Sequence, residues 1–469
     1  MLPAALLSIV LFGGVPAGGN SVRTHDMDVL VRAYIAGHTE ATTRFVLAHA
    51  NIPSFARQTG LACSACHTSF PQLNAFGRLF KLNGYTLTNS QLIQAGDSGK
   101  RETLKLNLIP PVSAMVQTSL SQTKRAPDGT QNGNVEFPQQ LSLFVGGEIT
   151  PKIGTFLQLT YSGNDGVIGI DNAEIRYASR TQLASKELIY GLTLNNNPTM
   201  QDVWNTVPAW RFPFASSEVA PTPLAAPLLD GALAQQVAGL GGYAMYNGLF
   251  YAEYGAYRSA AQGGAHPPDS SATNTISGAA SYWRAFIQHT SGDNSFMVGT
   301  YGIAANLFPA GVVGAVNRYS DFAIDAQFES RIGGTNLNAH GSWVRENQHL
   351  DATFAADGSA NATNTLKELR LDAGMITASR LGVTLGYFNI TGTTDPLLYG
   401  GAPVQGSATG SPNSAGAIGE ISIMPWLNTR LALQYVAYNK FNGAKLNYDG
   451  FGRNASDNNV LYLLAWLAF

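Results

Sequence analysis

Asp321-Phe322-Ala323-Ile324-Asp325-Ala326-Gln327-Phe328-Glu329 has apolar residues at every even position, and its polar residues fall on odd positions only, continuing to Arg331. A strand points successive side chains to opposite faces, so this stretch offers one face to lipid and the other to water. The same period of two returns in Leu157, Leu159 and Tyr161 against Gln158 and Thr160, and in Ile175 and Tyr177 against Glu174 and Arg176. Leu369 and Leu371 alternate with Glu368, Arg370 and Asp372, as Leu431, Leu433 and Tyr435 do with Arg430 and Gln434. A soluble sandwich alternates in the same way, so the connections must decide between the two.

From Pro111 onward the pattern breaks into about sixteen candidate strands whose connections alternate between short and long. Short ones fall at 151–152, 180–185, 247–248, 289–294, 332–333, 377–380 and 426–427. Long ones fall at 121–136, 197–236, 259–274, 306–316, 348–362, 393–415 and 442–457, with one short exception at 163–167. Outer-membrane barrels have short periplasmic turns, long outer loops and an even number of strands, which puts both ends of this region on the periplasmic side. The last segment, Val460 to Phe469, is aromatic-rich and stops on a phenylalanine, as strands recognised for outer-membrane insertion do. The expected fold is an all-β transmembrane barrel of about 16 antiparallel strands over residues 101–469, preceded by a small, mainly helical segment over 51–100. The inward charges Glu174, Arg176, Glu329, Arg331, Glu368 and Arg370 read as solvated lumen lining, and so does His340 with Asn336 and Asn338 on one strand face.

Composition agrees with a barrel. Charged residues are 12% of the 469, with 50 glycines, 19 tyrosines and 22 phenylalanines, while the mean hydropathy is close to zero. No apolar run reaches the roughly 20 residues needed to span a bilayer as a helix. A net charge of -2 points to neither nucleic acid nor another polyanion as partner. Residues 1–50 are set aside as a signal peptide or N-terminal extension. Leu2 to Ala17 has the character of a secretory apolar region without a preceding Lys or Arg, and Ala48-His49-Ala50 offers a second candidate cleavage site.

Cys63-Ser64-Ala65-Cys66-His67 holds the only two cysteines of the chain. The spacing reads as covalent attachment of one haem c, with thioethers from Cys63 and Cys66 and His67 as the proximal axial ligand of the iron. A redox pair does not need the histidine, and a structural zinc site lacks a second ligand pair. Attachment of this kind takes place outside the cytoplasm, so the chain is expected to be exported. Leu73, Phe76, Leu79, Phe80 and Leu82 recur at helical spacing, with Pro71 as a helix opener and Gly84 as a C-terminal cap. Between the haem motif and the barrel there is neither methionine nor another histidine. The sixth ligand is therefore left among Met115, a loop residue, the Lys81 nitrogen and no strong ligand. Asn195 to Trp210 opens the longest connection; it either folds inward as a constriction, covers the outer mouth or is a plain external loop.

Ile52-Pro53-Ser54-Phe55-Ala56-Arg57-Gln58-Thr59-Gly60, the haem motif, Pro71-Gln72-Leu73 and Phe76-Gly77-Arg78-Leu79-Phe80-Lys81-Leu82-Asn83-Gly84-Tyr85 together resemble the fused monohaem cytochrome-porins of the bacterial outer membrane. Asn196-Asn197-Pro198-Thr199 also looks like that family, whose best-known members oxidise ferrous iron. The resemblance implies an electron conduit in which haem c takes an electron from an extracellular donor, Fe(II) in those members. The electron then passes to a periplasmic cytochrome c or copper protein. Site residues carry over at Cys63, Cys66 and His67, with Phe55 to Gly60 as haem packing. Arg57 and Arg78 stand as candidate partners of haem propionates, against the plainer reading of exposed arginines. The departure lies in residues 18–50, where the family has an ordinary signal peptide. Two alternatives stay open: a diffusion porin with a haem plug or sensor, and a conduit for a donor other than iron.

Overall fold

The computed structural model describes residues 53–87, 92–95, 104–107, 111–259, 274–309 and 313–469. The expected signal segment and its candidate cleavage sites lie outside the described residues. Two short helices come first, α1 Ser54–Thr59 and α2 Ala75–Leu82, flanking a 3-10 turn at Cys63–Ala65. Barrel strands follow as β1 Val112–Thr123, β2 Asn134–Thr150, β3 Ile153–Ser162, β4 Val167–Leu183, β5 Lys186–Asn195, β6 Val237–Tyr246, β7 Phe250–Ser259 and β8 Ala280–Ser291. The second half is β9 Asn294–Phe308, β10 Asn317–Ile332, β11 Thr335–His349, β12 Thr363–Ile376, β13 Leu381–Gly392, β14 Ser414–Ile423, β15 Thr429–Lys440 and β16 Val460–Ala468.

Each strand pairs antiparallel with the next, and β16 returns to β1 to close the barrel. At the seam Val460 lies opposite Thr123 and Ala468 opposite Met115. The terminal Phe469 completes the ladder through its N–H to the Ala114 carbonyl, 2.8 Å. Closure leaves no strand edge unpaired, which is the condition for a sheet to sit in lipid. No helix among the described residues is long and apolar enough to cross a membrane; the crossing is made by strands. The two connection classes appear as expected: tight turns such as Asn247-Gly248, and long loops such as 196–236 and 441–459.

The alternation over residues 321–329 becomes the wall of β10. Phe322, Ile324 and Phe328 are 48%, 49% and 44% exposed on the outside, whereas Asp321, Asp325 and Gln327 are at 4% or less on the lumen side. The apolar outer belt and closed ladder make this an outer-membrane β-barrel of the porin-like kind. Its lumen is not empty. Leu228, Leu229 and Leu233 of the 196–236 loop pack against Tyr257, Tyr282 and Tyr301 of the wall, and Leu82 of α2 packs with Val203, Trp204, Tyr243 and Phe286. The longest connection therefore folds inward, the first of its three expected fates.

An arginine on the lipid face tests the assignment of faces. Ile324→Arg should lower the urea unfolding free energy in lipid vesicles by about 2–4 kcal/mol, the cost of a charge at bilayer mid-depth. Val313→Arg, in an exposed loop, should leave it within about 0.5 kcal/mol.

Candidate haem-binding cavity

The segment carrying the cysteines is shaped by a few side chains that bond backbone. Asn74 caps α2 by accepting from Gly77 N–H, 3.0 Å, and its amide donates to the Ala65 carbonyl, 3.0 Å. Its own N–H donates to the Cys66 carbonyl at 2.9 Å. One asparagine thus ties the start of the helix to the Cys63–Cys66 turn. A Cβ on Gly77 would overlap the Cys66 carbonyl oxygen, so the helix approaches the turn this closely only with glycine there. The helix begins at Ala75 rather than at Pro71, because residues 67–73 form a short antiparallel ladder, His67–Ser69 with Gln72–Leu73. At its other end Gly84 takes a φ of 67°. Gly84 N–H bonds the Lys81 carbonyl, 3.0 Å, and Tyr85 N–H the Phe80 carbonyl, 3.1 Å, a Schellman closure that matches the expected cap.

The Phe55 to Gly60 segment is both lining and anchor. Ser54 and Gln58 both donate to the Gly146 carbonyl of β2, at 2.9 and 2.7 Å, and Gln58 accepts from Glu148 N–H at 3.2 Å. Phe55 stacks on Tyr85 at 5.5 Å and meets Phe80 edge-on at 5.2 Å. Arg57 donates to the Val112 carbonyl. On the far side of the segment, Gln72 meets His340 at 3.2 Å and Asn338 at 3.3 Å, while His340 Nδ1 lies 2.6 Å from Asp372. His340 and Asn338, read as plain lumen lining, are docking groups.

Cys63, Cys66 and His67 line one cavity of about 490 Å³, within the size range of cofactor pockets. Its walls come from the segment, from β1, β2, β3, β15 and β16, and from the inward loop, through residues such as Phe55, Phe156, Trp210 and Phe214. Met115, Phe144, Leu427 and Ala468 place it at the short-turn end of the barrel. His67 Nδ1 lies 3.0 Å from the Pro71 carbonyl oxygen. A carbonyl only accepts, so this contact assigns the proton to Nδ1 and leaves the Nε2 lone pair as the metal-binding position, the usual arrangement for a ligating histidine. Burial lowers the His67 pKa, which favours the neutral ring a metal needs. Burial also raises Cys63, and pushes Cys66 up to about 12, opposite to the low pKa of a redox-active thiolate pair. Two thiols, an oriented imidazole and an apolar aromatic wall around one space fit a c-type haem.

Among the sixth-ligand candidates, Met115 lines the cavity, as does Met424. Lys81 is committed elsewhere: its Nζ donates to the Met200 and Asp202 carbonyls at 2.6 and 2.7 Å and sits 4.2 Å over the Trp210 ring. Arg78 is neither exposed nor free for a propionate. It donates to both Glu329 oxygens at 2.8 Å, and its guanidinium stacks 3.8 Å over Trp204. Glu174 and Arg176, also read as lining, form a fully buried pair at 2.7 Å; Tyr85 donates to Glu174 and Arg176 to the Lys81 and Gln201 carbonyls. Wall charges bond loop and segment alike, a role no local pattern in the sequence signals.

Neither a protein-family model nor a curated protein matches the chain. Solved barrels are similar to it in fold. Pseudomonas putida OprB aligns at 12% identity and a TM-score of 0.49, over 76% of this chain and 93% of its own. An anion-selective porin from Comamonas acidovorans aligns at 12% and 0.46, over 76% and 98%. The outer membrane channel DcaP of Acinetobacter baumannii aligns at 12% and 0.45, over 76% and 96%. The resemblance to cytochrome-porins accordingly stands on residues 52–85 and 196–199.

Gly77→Ala forces the helix off the Cys66 carbonyl, at a cost of about 1–3 kcal/mol. Limited proteolysis of the purified protein should then cut between residues 53 and 87 at least several-fold faster than in wild type, while Ala75→Ser, at an exposed position, should leave the rate unchanged.

Proposed function

We propose that the chain is an outer-membrane electron-transfer protein that carries one haem c on Cys63 and Cys66, with His67 as proximal ligand, at the periplasmic end of its barrel. The observation that carries this reading is the convergence of those three side chains on one aromatic-walled cavity inside a membrane-spanning wall. When bound, the haem supplies a reversible one-electron carrier. The protein's part is to hold and shield it. The Pro71 carbonyl orients His67, Phe55, Phe156 and Trp210 limit water, and buried ion pairs fix the segment and the loop to the wall. No general acid, base or nucleophile is required. By its resemblance to the cytochrome-porins, the donor is extracellular Fe(II) and the acceptor a periplasmic cytochrome c or copper protein.

A second reading, a diffusion porin with the haem unit as plug or sensor, is favoured by the porin-like barrel itself. The two differ in what the lumen passes. For the electron conduit, anaerobic Fe(II) should reduce the purified protein, a periplasmic cytochrome or copper protein should reoxidise it, and planar bilayers should carry no large steady current. Large steady currents with haem bound and no reduction by Fe(II) would establish the porin reading; reduction by another donor but not by iron would remove the iron assignment alone.

A further inference from the structure

Two buried donors at the cavity have no partner. Arg430 on β15 and Trp466 on β16 are directly opposed in the ladder, both line the cavity of Cys63, Cys66 and His67, and they are 4% and 6% exposed. Arg430 Nε and Trp466 Nε1 are both buried without a hydrogen-bond partner. A buried N–H without a partner is costly, and two on adjacent residues of a single cavity wall call for an acceptor there. The remaining contacts of Arg430 are satisfied: Nη1 donates to the Phe70 carbonyl at 3.1 Å, Nη2 pairs with Glu420, and the guanidinium lies 5.3 Å over Phe214. Trp466 meets the Phe70 ring edge-on at 5.1 Å, and Phe70 in turn meets His67 at 5.3 Å. The same two wall residues thus grip the turn that carries His67 and line the space beside it, each with one buried N–H that has no partner.

We infer that Arg430 Nε–H and Trp466 Nε1–H form the carboxylate cradle of this cavity and bind a haem propionate. The assignment rests on the haem reading above. It replaces Arg57 and Arg78, whose guanidinium groups bond the Val112 carbonyl and Glu329. An arginine on the wall and an indole on the terminal strand suit this role physically. Charge-assisted bonds to a carboxylate are the strong ones, and a donor on the barrel seam links cofactor binding to closure of the sheet. Once bound, the carboxylate gives the cytochrome segment a second attachment, to the wall, besides its thioethers.

The sign of the effect on the haem follows from charge. An uncompensated carboxylate beside the iron favours the more positive, ferric state, and a donor that neutralises it in part raises the midpoint potential. Trp466→Phe keeps the ring on Phe70 and removes one N–H. Its haem should stay covalently attached, its midpoint potential should fall, and the propionate carboxylate band in the redox-induced infrared difference spectrum should shift from the wild-type position. Arg430→Lys keeps a cation beside Glu420 and should move both readouts in the same direction. Identical potentials and carboxylate bands in wild type and both variants, with haem covalently bound in all three, would overturn the cradle. A wild-type protein without covalent haem would instead remove the reading on which it rests.

Discussion

A closed wall of sixteen strands encloses a lumen wider than its own side chains can fill, and this wall lines that lumen with charge. Buried ions demand partners, and here they are supplied by two inserts that enter from opposite ends. Arg284 on β8 bridges Asp202 of the loop and Asp325 of β10. Arg78 of α2 meets Glu329 of β10, and Arg211 of the loop reaches Glu368 of β12. Arg284–Asp202, Arg78–Glu329 and Arg211–Glu368 each join an insert to the wall, so barrel, loop and cysteine-bearing segment form one packed unit.

The inserts also hold each other. Lys81 donates to two carbonyls of the loop, and Asn205 exchanges hydrogen bonds with the backbone of Leu73, 3.3 Å each way. The cavity is the space they leave where segment, loop and seam meet. A segment of this length cannot bury a core of its own; it borrows one from the barrel through Phe55, Phe80 and Tyr85 on one side and Leu82 on the other.

Much of this was legible in the sequence. The period of two identified lipid-facing and lumen-facing residues, because a lipid-exposed strand must alternate, and the alternation of loop lengths identified the two ends. Cys63, Cys66 and His67 stand out in the sequence because so few residue patterns place two thiols and an imidazole together, and the fold gathers them on one cavity. The starting point of α2 was misread because Pro71 is a good helix opener, whereas the actual cap is Asn74, bound to the Cys63–Cys66 turn. The roles of Arg78, His340 and Glu174 were not legible: their partners lie far away in the chain, and only closure of the barrel brings them together. Arg430 and Trp466 show the same limit, since the opposition across β15 and β16 depends on register.

Whether the cavity holds a covalently attached tetrapyrrole is tested most directly by intact-peptide mass spectrometry of the protein purified from outer membranes. The peptide containing Cys63 and Cys66 should be heavier by one haem, with neither thiol open to alkylation. A peptide of unmodified mass with both thiols alkylated would contradict the account and leave a plugged barrel whose cargo is something else.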